Sequence, residues 1–428
     1  PTVAYTANNT TLTMTGAVNS SDSFYVIFQG KAIQTAGLPV DAAITASTIS
    51  TSQTITSTGN ITTSGTLNTP SINGGQIGGS RNMIINGAMQ VAQRGTSIAV
   101  SSALVYTLDR FAAENDTTTM TATQASDAPT GFEYSLKLTN GTGATATGTH
   151  INRIRYALEG YDTNQLEIGT ANAKKVTLSF HVKSSITGTY IVSFLDSGND
   201  NGYPASYTIN SANTWEKKTI TLTMSDYGSW VGSSTNAINL ILHWDLGSGP
   251  DRDLSNLNAW NDGAANDFSH SSQTEWVGTT GSTFYLTGVQ LEVGSQATPF
   301  EHRSFGEELR LCQRYYYREE ASSVSSSTSY KRYGVGQYYS ATAAEAFVYL
   351  PVTMRAVPTL ETTGTSTDYA FYAGSNVRSI SNNFSLNGST DKNFLIVNGT
   401  TSSQTLGHAA SLLSNNNTTS FIAANAEL

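Results

Sequence analysis

Charge is scarce in this chain and cysteine almost absent. Lys, Arg, Asp and Glu make up 12% of its 428 residues, and Cys312 is its single cysteine. One thiol cannot close an intrachain disulfide, so rigidity must come from packing or from oligomerisation. The 22 basic residues are outnumbered by 31 acidic ones, for a net charge of −9. No Lys/Arg cluster forms a stripe for a phosphate backbone, so nucleic acid is not an expected partner. Long apolar runs are missing too: none approaches the roughly 18 residues of a membrane-spanning helix, and no membrane insertion is expected. Windows rich in Ala, Leu, Glu and Lys are also lacking, which leaves little that reads as helix. Pro1 opens the chain without the basic and apolar regions of a signal peptide, so either an initiator Met was removed or residues lie upstream.

What fills the chain instead is Ser, Thr, Asn and 37 Gly, interleaved with β-branched and aromatic residues. Short alternating runs between such turn residues predict an all-β protein. Its length exceeds what one core usually organises, so several domains are expected. Residues 1–43 hold two alternating runs, VAYTANNTTLTMTGAV and DSFYVIFQGKAIQT, read as a small N-terminal β unit. Over residues 44–80 an aliphatic side chain recurs every five or six positions, at Ile49, Ile55, Ile61, Leu67, Ile72 and Ile77, amid Ser, Thr, Asn and Gly. One such side chain per turn cannot offset about 1–2 kcal/mol of backbone entropy per residue, so the segment needs copies of itself. Three identical chains would bring each aliphatic against two symmetry mates and form a trimeric β-repeat shaft; a Ser/Thr linker with incidental isoleucines is the alternative. Residues 81–303 carry many short strands and predict a jelly-roll β-sandwich. Ser304 with Glu307 forms a capping-box pattern, and Phe305, Leu309, Cys312 and Tyr316 fall on one helical seam, so residues 304–320 are expected as a helical spacer. That helix could pack near a threefold axis or on its own jelly roll. Residues 321–428 return to strands and predict a distal C-terminal β-sandwich, with an edge strand between Pro351 and Pro358.

Several phrases resemble those of bacteriophage tail fibre proteins of short-tailed phages: NGAMQVAQRG at 86–95, YTLDRF at 106–111, and FYLTGVQLEVG at 284–294 followed by ATPFEHRSFGEELRLCQRYYY at 297–317. FYVIFQGKAIQTAGLPVDAA is similar to the β unit that precedes such fibre shafts, and VTMRAVPTL at 352–360 to the distal domain. The resemblance implies a homotrimer in the virion, with phage tail, baseplate or adaptor proteins held at its N-terminal end and a host surface polysaccharide or protein at the other. It also implies a jelly roll like those of carbohydrate-binding modules.

Candidate binding residues follow from side-chain chemistry. Aromatic faces stack on sugar rings and Asp or Asn holds hydroxyls. The loop 243–278 contains Trp244, Trp260 and Trp276. Trp260, in a polar stretch, is the stronger candidate there with Trp276, whereas Trp244 and Trp215 sit beside alternating strands and read as core. In the distal domain Tyr330, Tyr333, Tyr338, Tyr339, Tyr369 and Tyr372 stand out, alternation placing about half of them inside. Tyr369 and Tyr372 with Asp368 and Arg378 are the preferred surface group, and host recognition is expected at this distal end. Asp251, Asp253 and Ser255 mimic the start of a calcium loop, but Asn256 replaces the required Gly and Asp262 the bidentate Glu. No metal or other cofactor is expected. Asp245, Asp251, Asp253 and Glu275 could supply a glycosidase pair, yet nothing selects two of them. His243 and His270 lack a nucleophile elbow or metal spacing. Cys312 reads as a buried hydrophobe. The expected function is host-receptor binding without catalysis, against a tailspike-type depolymerase or a purely structural virion or adhesin component.

Overall fold

The computed structural model describes the backbone of Tyr5–Asn8 and Thr11–Met14, and residues 80–428 apart from 199, 228–229, 231–234, 263–266, 322–329, 381–383 and 401–402. The shaft-axis candidates Ile49, Ile55, Ile61, Leu67, Ile72 and Ile77 lie outside the described residues. Two compact units divide the chain, Pro1–Leu67 and Asn68–Leu428. In the first, β1 (Tyr5–Asn8) pairs antiparallel with β2 (Thr11–Met14), Tyr5 opposite Met14.

The second unit opens with a two-sheet sandwich of jelly-roll type. Its elements are β3 (Ser97–Val100), β4 (Val105–Tyr106), β5 (Phe111–Asn115), β6 (Met120–Ala125), β7 (Ser135–Asn140), β8 (Asn152–Glu159), α1 (Gly160–Thr163), β9 (Lys175–Ser184), β10 (Gly188–Asp196), β11 (Asn201–Ile209), β12 (Glu216–Thr223), β13 (Ile238–Asp245), β14 (Asn261–Asp262) and β15 (Thr283–Val293). One sheet runs β14-β11-β10-β13-β8-β5-β4 and the other β12-β9-β15-β7-β6-β3. Alternation sends Val176, Leu178, Phe180 and Val182 of β9 inward against Leu240, Leu242 and Trp244 of β13, all fully buried. Phe180 and Trp244 meet edge to face at 5.9 Å. Gly288 shows why β15 needs its glycine: it takes φ +61° at a bulge between Thr287 and Gln290, and a Cβ there would lie 2.6 Å from Phe132 Cζ.

The helix is shorter than the sequence suggests. α2 (Phe305–Gln313) begins at Ser304, whose Oγ accepts from the Glu307 N–H at 3.3 Å. It is followed by β16 (Tyr316–Glu320), so the expected spacer at 304–320 ends early. Three consecutive tyrosines favour strand once a partner is available, and β16 finds one at the far end of the chain. The four-residue seam is not built, since Phe305 is 58% exposed and Tyr316 lies in the strand. Leu309 and Cys312 instead pack with Ile85, Val91 and Tyr315, on the helix's own jelly roll. Burial pushes the Cys312 thiol well above its ordinary range, so it is a small hydrophobe.

The distal domain comprises β17 (Arg332–Ser340), β18 (Ala343–Tyr349), β19 (Thr359–Thr362), β20 (Tyr369–Ala373), β21 (Asn376–Ser379), β22 (Ser385–Leu386), β23 (Asn393–Gly399), β24 (Ala409–Ser414) and β25 (Phe421–Asn425). They form a seven-stranded sheet, β21-β20-β24-β17-β18-β23-β22, over a three-stranded one, β16-β25-β19. The segment between Pro351 and Pro358 is not the expected edge strand; it turns, and the edge position falls to β19 just beyond it. Two prolines in eight residues remove ladder donors that a strand would need.

The phrases that carry the fibre resemblance converge in one buried polar hub. Asn86, at φ 61°, donates from Nδ2 to the Val91 and Asp109 carbonyls and accepts from the Val91 N–H. Its own N–H donates to Glu308 of α2 at 2.5 Å. Gly87 lies so close to β15 that a Cβ would meet the Val289 carbonyl at 2.2 Å. Arg110 donates to Glu427 at 2.5 Å and to the Ala157 carbonyl at 2.6 Å, with its guanidinium 3.5 Å from the Tyr315 ring centre. Arg94 also pairs with Glu427, at 3.2 Å, and stacks 3.5 Å over Tyr316. Arg314 grips fully buried Glu159 with two bonds of 2.9 and 3.1 Å. Those motifs are the joint between jelly roll and distal domain, which is a structural use of charge: Arg94, Arg110, Glu159 and Glu427 are buried against partners, and Arg314 is partly so.

Candidate functional site

The residues named from sequence separate into core and surface. Trp276 is fully buried and donates from Nε1 to the Thr283 carbonyl at 3.2 Å, which removes it as a sugar contact. Trp260 is half-buried, edge to face with Trp230 at 6.0 Å and Tyr203 at 5.4 Å, and its Nε1 donates to the Thr223 carbonyl. Of the six distal tyrosines named above, Tyr333, Tyr338 and Tyr369 are buried, while Tyr330, Tyr339 and Tyr372 are exposed.

Tyr369 and Tyr372 do not form a surface pair. They stand three apart on β20, so alternation aims them at opposite faces. The Tyr369 hydroxyl donates to the Phe421 carbonyl at 2.5 Å, and its ring packs on Phe384 at 4.7 Å. Arg378 pairs across from buried Phe371, on the face opposite Tyr372. Asp368 accepts from Asn417 Nδ2 at 2.7 Å in a turn of its own. Tyr372→Ala is therefore expected to leave stability within about 0.5 kcal/mol, whereas Tyr369→Ala should lose about 3–5 kcal/mol as a large core truncation. Denaturant melts of the two variants check this; equal losses would contradict the assigned faces.

Tyr372 instead belongs to a row that crosses the seven-stranded sheet in register: Val377, Tyr372, Ser411, Val335, Phe347 and Leu395. Val335 is 58% exposed, and Phe347 stacks on Tyr349 at 6.3 Å. This is a broad outer face of low charge in the domain where recognition was expected.

A second row, on the jelly roll, was not read from the sequence. Trp215, expected in the core, is half-buried on the outward face of the six-stranded sheet, just before β12. Beside it, Lys183, Tyr285, Lys137 and Thr123 are consecutive cross-strand partners on β9, β15, β7 and β6. At about 4.8 Å per strand this row spans roughly 14 Å. Lys183 Nζ lies 4.1 Å from the Tyr285 ring centre and 5.2 Å from that of Trp215, and the rings meet at 5.9 Å and 71°. Asp127 accepts from Lys183 Nζ and, at 3.1 Å, from Trp215 Nε1. The bonded ammonium holds the Asp127 carboxyl below its ordinary range. Two aromatic rings, a cation and a carboxylate thus share one preordered ledge, which can stack a sugar ring and bond its hydroxyls. The signal was present in TFYLTGVQLEV, where Tyr285 falls on the phase opposite Phe284 and Leu286. Trp215 is separated from it by 70 residues, and only sheet order joins them.

Of the carboxylates considered for catalysis, Asp245 and Glu275 bond loop N–H groups. Asp245 is buried and accepts from the Gly247 and Ser248 N–H groups at 3.1 and 3.0 Å. Burial raises its pKa, offset by hydrogen bonds from Ser269 and Ser248. Glu275 accepts from the Ala146 N–H at 2.7 Å. Asp253 bridges to Ser269, and Asp251 is exposed. Among the described residues no group of three or more His, Cys, Asp or Glu converges as metal ligands would.

His243 is buried beneath Arg153, edge to face with Phe268 at 4.8 Å. Burial, then Arg153 and Arg155 on β8, push its pKa well below the ordinary value. Glu114 on β5 bonds Arg153 rather than the imidazole, and the Ser193 hydroxyl of β10 donates to the Phe268 carbonyl. Folding thus excludes a proton that the unfolded chain takes up below pH ~6.5, so this residue makes stability fall with falling pH, by up to about 1.4 kcal/mol per unit. The difference in unfolding free energy between wild type and His243→Gln, measured from pH 7 to 5, should shrink by that slope. A constant difference would contradict it.

No protein-family model matches this chain, and no curated protein matches it. Similar solved structures include a xylan-binding domain of Paenibacillus barcinonensis, at 12% identity and TM-score 0.25, with 53% of this chain and 100% of that one covered. A family 11 carbohydrate-binding module of Clostridium thermocellum in complex with a mixed-linked tetrasaccharide gives 10% identity and TM-score 0.23, with 47% and 97% covered. The enzymatically active domain of tailspike protein 4 of bacteriophage CBA120 gives 12% identity and TM-score 0.25, and the match covers 50% of this chain and 21% of the tailspike chain.

Proposed function

We propose that this chain is a homotrimeric phage tail fibre protein of the virion that attaches to host surface glycans without catalysis. The observation that carries the glycan reading is the ledge of Trp215, Lys183, Tyr285 and Lys137, an aromatic surface with polar groups fixed by Asp127. The fibre reading rests on the resemblance of 86–95, 106–111 and 284–317 and on the aliphatic repeat of 44–80, whose single apolar side chains call for partner chains. Threefold display would let weak contacts at each ledge and at each distal face add to firm attachment. The N-terminal end then serves the tail or its adaptor.

A glycan array probed with the intact chain tests this. Binding to bacterial surface glycans, lost in a Trp215→Ala, Tyr285→Ala double variant that melts like wild type, is the expected result. Light scattering should report a trimer. A stable monomer, or array binding that ignores the double variant, would sink the proposal, and sugar release from host envelope would turn it into a depolymerase.

A further inference from the structure

The other face of the jelly roll holds an open cavity of about 620 Å³ over β8 and β13, lined by Leu104, Ile151, Arg153, Arg155, Ile241 and His243 with Arg252 and Leu428. We propose that it is an oxyanion-binding pocket, separate from the aromatic ledge, which takes a carboxylate, sulfate or phosphate group of the kind an acidic sugar presents.

Position comes first. Arg153 and Arg155 are two apart on β8 and share its outward face, and His243 is the cross-strand partner of Arg155. Arg252 arrives from the turn Pro250–Arg252 and donates from Nε to the Thr149 carbonyl at 3.1 Å. Three guanidiniums therefore converge on a cavity whose other walls are Leu104, Ile151 and Ile241. Carboxylates offset part of this charge. Glu114 takes two bonds from Arg153, at 2.9 and 3.1 Å, and Asp245 caps a turn. Asp267 lies in the field of Arg252. Arg155 is met by the last residue of the chain: its Nη1 donates to the Leu428 main-chain oxygen at 2.8 Å, and that oxygen, part of a carboxylate where the chain ends at Leu428, also accepts from the Tyr106 hydroxyl. Burial lowers the pKa of Arg155, against the opposing influence of Tyr106. Buried neutral beneath them, His243 can offer or accept a hydrogen bond without adding charge. An oxyanion fits this set, since planar guanidiniums bond carboxylate, sulfate or phosphate oxygens in pairs and apolar walls strengthen each contact.

The inference does not rest on the fibre reading, and its test uses small ions. Calorimetric titration of the full chain with sodium sulfate and sodium glucuronate, at constant ionic strength set with chloride and with or without glucose, is expected to show binding of both anions that the neutral sugar does not displace. Arg252→Gln, a change at the rim, should weaken both anions at least about tenfold, the worth of a charge-assisted bond. Trp215→Ala should leave them unchanged while abolishing neutral glycan binding, so the two sites fail independently. Sulfate without glucuronate supports the oxyanion pocket and removes the sugar; glucuronate without sulfate supports the acidic sugar. Absence of both, or affinities untouched by Arg252→Gln, overturns the proposal and leaves the Leu428 oxygen as the sufficient partner of Arg155.

Discussion

Glu427→Ala is expected to destabilise the second unit by about 3–5 kcal/mol, the usual result of removing one partner from a buried ion pair. The Glu427 side chain is 2% exposed and that of Arg110 1%. Glu427 accepts from Arg110 Nη1 at 2.5 Å, from Arg94 at 3.2 Å and from the Arg110 N–H at 3.4 Å. Taking the carboxylate away leaves Arg110 enclosed by Tyr156 and Tyr315 with no anion, and water cannot reach it without opening the joint. Arg355 also binds this tail, through the Ala426 and Glu427 carbonyls at 2.7 and 3.1 Å, so disturbance should spread into the distal domain. A melting-temperature drop of roughly 4–7 °C is the corresponding calorimetric result for a body spanning Asn68–Leu428. Glu427→Gln should fall between wild type and Ala, because an amide oxygen still accepts but carries no charge. A loss below about 1 kcal/mol for Glu427→Ala would show that the pair is solvated. The same contacts make deletion of residues 321–428 a poor test of distal recognition: it removes Glu427 and the strand β25 that pairs with β16, so jelly roll and binding would be lost together. Point changes on the Val335, Tyr372 and Phe347 row separate the two.

Trp276→Ala should cost about 3–5 kcal/mol, against less than about 1 kcal/mol for Trp215→Ala. Trp276 is fully enclosed, edge to face with Phe284 at 6.4 Å, and its indole N–H is satisfied by the Thr283 carbonyl. Its short turn also carries the Val277 carbonyl, which accepts from Asn140 Nδ2 at 2.8 Å, so truncation would leave both a cavity and a loosened loop. Trp215 is half-open, and its loss frees Lys183 and Asp127 to meet water. Chemical denaturation should therefore rank Trp276→Ala far below Trp215→Ala in stability, and glycan binding should rank them the other way among folded molecules. A stable Trp276→Ala variant with lost binding would restore Trp276 as a contact residue.

Much of the architecture is legible in residues that act locally. Alternation in KKVTLSFHVKSS and NLILHW assigns an inward and an outward face because successive side chains of a strand point oppositely. Ser304 and Glu307 mark a helix start because unpaired N–H groups need acceptors within a few residues. The sequence also carries the all-β class and the low charge. Where the helix ends was decided by β25, more than a hundred residues away, which draws Tyr316–Glu320 into a sheet. Which tryptophans face outward was decided in the same way. Trp276 sits in a polar loop, but the loop folds over the end of the sandwich; Trp215 precedes an alternating strand, but on its solvent phase. The ledge exists because β9, β15 and β7 are neighbours, and the cationic pocket because β8 lies beside β13, and strand order is a property of long-range pairing. Local chemistry determines what a segment can be; the company that topology gives each side chain determines whether it is core, joint or binding surface.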